Sequence, residues 1–312
     1  MLSAQGLGQG FEWRREGSRG AREIVDDALE FLADEDPRPW FLWLHLYDVH
    51  RPYGSARADA ARFGTPSRPG VGDDEQHYNL RPEDVRAHGL TSADLAWIVD
   101  RYDAGIAHAD AELGPLFAAL ASPGRLARTL VIVTADHGES LLDHPERLFT
   151  HDPLLHSSVT RVPLLVRYPG GEEAGTSRGE LVSLIDLAPT VLDAIGLDAP
   201  ASFQGRSLRG VAGARDRVLH HECWGWSRLA AARTPRWLLV RDLEGGGDRL
   251  YSLASDPGER DPLDPATVPG ARDLVRTLEA FARRPGAREP EPDLDAETRE
   301  RLRRLGYVED GR

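Results

Sequence analysis

The sequence contains no lysine: all 38 of its basic residues are arginine. Any cationic group at a reacting centre is therefore an arginine, a histidine or a metal. There is one cysteine, Cys223, which excludes a disulfide within the chain and says little about redox compartment. No run approaches the roughly 20 apolar residues of a membrane-spanning helix, and there is no internal repeat. The opening residues, MLSAQGLGQGFEWRREG, lack a positively charged start followed by an apolar core, so they do not read as a signal peptide. Localisation stays open. Positive charge is scarce overall, with 51 acidic residues leaving a net charge of −13. No basic stripe is present, which argues against nucleic acid as a partner.

At 312 residues the chain is long for one domain, and one large domain with a smaller one is expected. It is organised around Thr129–Ser140, TLVIVTADHGES. The β-branched run Leu130–Val133 reads as a strand buried on both faces, as in a parallel sheet. It stops at Ala135-Asp136-His137-Gly138-Glu139. In open α/β sheets, ligands bind beyond the carboxyl ends of strands. An Asp and a His there make a metal or anion corner, and a Gly lets backbone approach closely. Equally, the pair could simply cap the next turn.

Ala21–Ala33 has helical periodicity, with Ile24, Val25, Ala28, Leu29, Phe31 and Leu32 on one face. Trp40–Tyr47 (WFLWLHLY) reads as a second buried strand, ending in Asp48-Val49-His50-Arg51-Pro52-Tyr53. Gly54–Gly89 is a long polar segment of the kind that forms a functional loop or lid. Ser92 is expected to cap a helix to about Leu120, with Leu95, Ile98, Val99, Tyr102, Ile106, Ala109, Leu113 and Phe117 as its apolar stripe. A third strand is expected at Val162–Tyr168 and a helix at Leu184–Gly196, with Pro189 in its first turn. From about Gly210 the texture changes to short strands at Val218–His221, Arg228–Arg233, Trp237–Val240 and Arg249–Leu253, a small antiparallel sheet. A helix at Ala271–Ala282, a Pro-rich tether at Arg283–Pro292 and a last short helix at Ala296–Leu305 complete the reading.

Six stretches, in order, resemble the sulfatase family. They are FLWLHLYDVHRPYG, RYDAGIAHADAELGPLFAAL, TLVIVTADHGESLLDH, THDPLLHSSVTRVPLLVRYPGG, LVSLIDLAPTVLDAIGL with FQGRSL, and LYSLASDPGERDPL. The resemblance implies an alkaline-phosphatase-like α/β sandwich with a central, mostly parallel sheet, incomplete at its N-terminal side, and a small C-terminal antiparallel-sheet subdomain. The expected division is 1–209 for the catalytic domain and 210–312 for the C-terminal subdomain. The resemblance also implies a divalent cation, commonly Ca²⁺ with Mg²⁺ or Mn²⁺ as alternatives. The implied reaction is hydrolysis of a small-molecule or saccharide sulfate ester through a covalent sulfo-enzyme. Asp136 and His137 stand where the family places two metal ligands, His replacing an Asn. His50 stands at a substrate-side histidine suited to protonating the leaving oxygen, and His151 at a sulfate-contacting position.

The resemblance also marks departures. The family's nucleophile is a formylglycine made from the first residue of Cys/Ser-x-Pro-x-Arg, upstream of all the matched stretches and accompanied by an Asp-Asp pair. These 312 residues contain no such segment. Cys223 lacks Pro and Arg at the required offsets, and Pro66-Ser67-Arg68 follows Thr65 and lies between matched stretches. Asp152 replaces a usual Gly beside His151 and is expected to point to solvent; Ser157 and Ser158 replace a Glu pair. His144 and His156 read as surface histidines, and Asp48 as orienting His50 or stabilising the turn. As given, the chain is expected not to turn over sulfate esters. The alternatives are phosphodiester or phosphonate chemistry on the same fold, or a non-catalytic remnant that binds anions or a partner.

Overall fold

A computed structural model describes residues 10–15, 20–34, 38–54, 60–64, 69–122, 124–144, 146–210, 217–223 and 227–284. The sequence readings at 65–68, from 285 through the tether, and at Ala296–Leu305 lie outside the described residues. The chain divides into two compact units, 1–126 and 127–312.

In the first unit, α1 (Ala21–Ala33) buries Ala21, Val25, Ala28 and Leu32, the face its periodicity predicts. Its N-cap, Gly20, has no side chain to cap with, and Asp48 Oδ1 instead accepts from the Ala21 N–H at 3.1 Å. Asp48 therefore serves a helix end, the placement an acceptor favours. A short helix, α2 (Pro82–Ala87), precedes the long α3 (Ser92–Leu120). Thr91, not Ser92, caps α3: its hydroxyl accepts from Asp94 N while the Asp94 carboxylate accepts from Thr91 N, a reciprocal box. The buried face of α3 runs through Trp97, Ile98, Arg101, Ala104, Gly105, Ala109, Leu116 and Leu120. Ile106 and Phe117, expected in the stripe, are exposed. At Gly105 a Cβ would stand 3.1 Å from the Asp48 carbonyl oxygen, so glycine is what lets the 48–49 backbone lie against the helix.

Within the expected loop Gly54–Gly89, residues 71–78 are held by buried side chains. Buried Arg101 donates to the Tyr53 and Val71 carbonyls at 2.6 and 3.0 Å and to Asp73 at 2.6 Å. The Tyr78 hydroxyl donates to Gly72 O at 2.7 Å, and burial pushes its pKa up to about 12. Trp40–Tyr47 departs from expectation. It pairs with no strand among the described residues, and Phe41 and Trp43 are 59% and 64% exposed. Apolar side chains alone do not make a strand; the ladder needs a neighbour for its N–H and C=O groups.

In the second unit, β1 (Val131–Thr134) pairs antiparallel with β2 (Leu164–Arg167), Val131 opposite Arg167 and Thr134 opposite Leu164. A pair of two strands shields its faces poorly, so Leu165 is 62% exposed and β1 is only partly covered, not buried on both faces. Between the two strands sits one turn, α4 (Ser157–Thr160); after them comes α5 (Leu187–Ala194), entered through a 3-10 turn at Leu184–Asp186. The C-terminal strands β3 (Leu219–Cys223), β4 (Leu229–Arg233), β5 (Trp237–Asp242) and β6 (Gly247–Ser252) form an antiparallel meander in chain order. Alternation sorts their side chains onto two cores. Ala230, Ala232, Leu239 and Leu250 pack against Leu274 and Leu278 of α6 (Ala271–Ala282). Leu229, Ala231, Leu238, Val240 and Tyr251 face the other way, onto Leu155 of the loop before α4.

Candidate active site

The backbone beyond β1 is fixed by three contacts. Gly138 N–H donates to Val159 O at 2.7 Å, and Ser140 and Thr150 exchange both their N–H···O bonds at 2.8 and 3.2 Å. A Cβ on residue 138 would come closer than 3.0 Å to the Ser158 carbonyl oxygen, so only glycine passes beneath α4 there. The Ser140–Thr150 bridge sets a register in which Glu139 stands opposite His151. The strand end thereby gathers Asp136, His137, Glu139 and His151 into one cluster.

Asp136 is mostly exposed, and its Oδ1 accepts from His137 N–H at 2.9 Å. His137 Nδ1 lies 2.9 Å from Gly138 O; a carbonyl only accepts, so Nδ1 carries the proton and Nε2 is the ring's basic atom. That Nε2 stands 3.8 Å from Asp136 Oδ2. The His137 and His151 rings lie tilted at 31° to one another with centroids 4.0 Å apart, and buried Glu139 places Oε1 3.4 Å from His151 Nδ1. Asp136 Oδ2 and His137 Nε2 converge as two donors of a cation would. Among the described residues, however, no group of three or more His, Cys, Asp or Glu is arranged to hold a metal. A calcium ion takes about 6–8 oxygen ligands, so these residues alone do not make its site. Glu139 is the residue the sequence reading misses, because its relation to His151 depends on a register between segments that no local pattern reveals.

The loop carrying His151 is anchored to the C-terminal sheet at successive residues. Asp152, expected to point to solvent, accepts from the Cys223 thiol at 2.9 Å. Burial first, and the Asp152 carboxylate second, push that thiol's pKa above its ordinary value. Leu155 enters the core beside Leu238 and Val240. His156 and His144 are buried, correcting the surface reading; their rings lie tilted at 32° with centroids 3.8 Å apart, and His156 Nε2 lies 3.4 Å from the Tyr251 hydroxyl. Burial, then the neighbouring His144 and Arg249, push the His156 pKa down to about 3. Ser157, where the family has Glu, bonds instead to a carboxylate from elsewhere. Its N–H donates to Glu259 Oε2 at 2.7 Å and its hydroxyl to Glu259 Oε1, while Arg233 pairs with the same carboxylate at 3.5 Å.

His50 belongs to the first unit. Its Nδ1 lies 2.7 Å from Arg51 O, which commits the proton to Nδ1 and leaves Nε2 basic. Its ring neighbour is Tyr47, at 5.2 Å between centroids. The Asp48 carboxylate accepts from Ala21 N–H and lies 3.7 Å from His108 Nε2.

The solved neighbours have the alkaline-phosphatase-like α/β fold, and this chain shares it. The structure of BT4656 in complex with its substrate D-glucosamine-2-N,6-O-disulfate matches with a TM-score of 0.69, over 89% of this chain and 72% of that one, at 17% identity. A phosphonate monoester hydrolase of Agrobacterium radiobacter matches with a TM-score of 0.63, over 85% and 61%, at 24% identity. In sequence, arylsulfatase K of Bos taurus is 32% identical over 174 residues, which is 51% of this chain and 32% of that protein. The sulfatase family model matches residues 12–197, and a model of the C-terminal region of N-sulphoglucosamine sulphohydrolase matches 146–264. This chain belongs to the sulfatase family. It spans about a third of the length of the arylsulfatases K it matches.

Proposed function

We propose that the chain carries the strand-end histidines and the C-terminal subdomain of a sulfuric ester hydrolase acting on sulfated saccharides. The observation that carries the reading is the convergence of Asp136, His137, Glu139 and His151 at the carboxyl end of β1. The saccharide class follows from the sulfated glucosamine bound by the solved neighbour. In this reading Asp136 and His137 are two of a divalent cation's ligands, with further donors from outside the described residues. His151 contacts the anionic ester, and His50, its Nδ1 committed to Arg51 O, protonates the leaving oxygen from Nε2. A sulfate ester is already anionic, and cleavage pushes further charge onto the leaving oxygen. An imidazole beside that oxygen would stabilise the charge locally although the whole chain is acidic.

These 312 residues hold no Cys/Ser-x-Pro-x-Arg nucleophile segment, so the isolated chain is expected to leave aryl sulfates unhydrolysed above background. The test is the genomic DNA upstream of the Met1 codon, read in frame. An Asp-Asp pair followed by Cys- or Ser-x-Pro-x-Arg is expected, and the longer product should hydrolyse a sulfated glucosamine. An in-frame stop just before Met1 would withdraw the catalytic reading in favour of a non-catalytic anion or partner binder. A second reading, phosphonate ester hydrolysis, is favoured by the phosphonate monoester hydrolase neighbour. A longer product that cleaves phosphonate monoesters faster than sulfates would replace the first reading with it.

A further inference from the structure

We propose that Glu259 is a positioning residue of the strand-end corner: its carboxylate seats α4, and α4 in turn holds Gly138 and the Asp136-His137 pair beside it. That this corner works on an ester rests on the hydrolase reading above; the mechanical link stands on hydrogen bonds alone. All of these residues belong to the second unit. α4 begins without a cap of its own, since His156 at its N-cap makes no side-chain hydrogen bond to the turn. The N–H of Ser157, one of the donors a helix leaves open, goes instead to Glu259 Oε2 at 2.7 Å, 102 positions along the chain. The Ser157 hydroxyl donates to Glu259 Oε1 and accepts from Arg233 of β4 at 2.7 Å. Arg233 also stands 3.5 Å from that carboxylate, whose side chain is only 2% exposed. A charged acceptor holds an N–H roughly twice as strongly as a neutral one.

Glu259 is held in a conformation that disfavours it. Its φ of 54° lies in the left-handed region, where a Cβ crowds the following carbonyl, and the neighbouring Gly258 does not take that place. The turn is closed around it: Glu259 N–H donates to Asp256 O at 3.1 Å, and the Asp256 carboxylate accepts from Arg260 and Asp261 N–H at 3.1 and 3.0 Å. A strained residue with a buried, fully engaged carboxylate points to a task for that side chain. The link runs on through α4. His156 O accepts from Val159 and Thr160 N–H at 3.0 and 2.9 Å, which makes these residues one turn. Val159 O is the acceptor for Gly138 N–H at 2.7 Å, and Gly138 O lies 2.9 Å from His137 Nδ1. Without the carboxylate, Ser157 N–H loses its acceptor, α4 loosens at its start, and the backbone partner of Gly138 moves.

The test is amide hydrogen exchange in the nitrogen-15-labelled full chain. Gly138 is the reporter, and Leu239, in the middle of the C-terminal sheet, measures overall stability. Wild-type Gly138 should exchange slowly. Glu259→Ala should speed Gly138 by about tenfold or more beyond any change at Leu239, the loss expected for a hydrogen bond to a charged group. Glu259→Gln, whose amide oxygen still accepts from Ser157 N–H, should recover part of that protection. A merely structural role would speed both amides by one common factor or spare Gly138, and either outcome overturns the proposal. Ser157→Ala covers the case of a Glu259→Ala protein that fails to fold: it removes only the hydroxyl link and should speed Gly138 about fivefold with Leu239 unchanged. An unmoved Gly138 in that variant, or a wild-type Gly138 as fast as an unprotected amide, overturns it too. The hydrolase reading falls separately, if the longer gene product leaves a sulfated glucosamine intact, and that result does not alter these exchange factors.

Discussion

Replacing Gly138 by alanine should damage both stability and the site. The new methyl would lie closer than 3.0 Å to the Ser158 carbonyl oxygen and 3.2 Å from its carbon. Both belong to backbone, so no flexible side chain can swing aside. Relief requires residue 138 to part from α4, which stretches the 2.7 Å bond from Gly138 N to Val159 O. Overpacking of this kind costs about 1–3 kcal/mol, and a lost buried hydrogen bond about 1 more. The expected destabilisation is therefore about 2–4 kcal/mol, read as a lowered midpoint in urea unfolding of the full chain. Gly179→Ala is the control: that glycine has open space around its Cβ position and no left-handed backbone, so its change should stay within about 0.5 kcal/mol. The displacement should also shift the His137 and His151 ring signals, since both flank the moved segment. A Gly138→Ala protein as stable as Gly179→Ala, with those signals unmoved, would refute the packing account of this corner.

Three further outcomes are expected. His156 has a native pKa of about 3 against an unfolded value near 6.5, so below that value the unfolded chain takes a proton the native one refuses. Stability should fall as pH drops from about 6.5 toward 3, at up to about 1.4 kcal/mol per pH unit from this group; a His156→Gln chain with the same slope would disprove it. Cys223, its thiol pKa raised by burial and by Asp152, should resist alkylation in native buffer and react only as the chain unfolds. Prompt labelling of the folded protein would contradict the buried thiol–carboxylate contact. Asp186 is buried; the burial alone would raise its pKa, but hydrogen bonds from Arg217, Arg206 and Ser183 outweigh it and hold the pKa low. Its stabilisation is complete above the ordinary carboxylate range and is lost as pH falls through the lowered native value. Asp186→Ala, which strands Arg217, should cost about 3–5 kcal/mol at neutral pH in urea unfolding; a loss under 1 kcal/mol would show the pair to be ornamental.

Where local signals suffice, the sequence is enough. The apolar spacing of Ala21–Ala33 and Ala271–Ala282 and the turn residues between β3 and β6 determine those elements, because a helix face or a hairpin is set by neighbours a few residues away. The Asp136-His137 corner is legible for the same reason: a β-branched run followed by polar residues and Gly marks a strand end wherever it occurs. Tertiary structure decides what pairs across distance. Trp40–Tyr47 has every side chain of a strand, yet strandhood depends on a hydrogen-bonding neighbour, which its own residues cannot supply. Asp48, Asp152 and Ser157 each look like loop polar residues, and their meaning comes from partners 27, 71 and 102 positions away. His144 and His156 are polar in isolation and are buried together, ring against ring, with Tyr251 beside His156. Glu139 is the sharpest case. Nothing near it in sequence names His151; two backbone hydrogen bonds between Ser140 and Thr150 do.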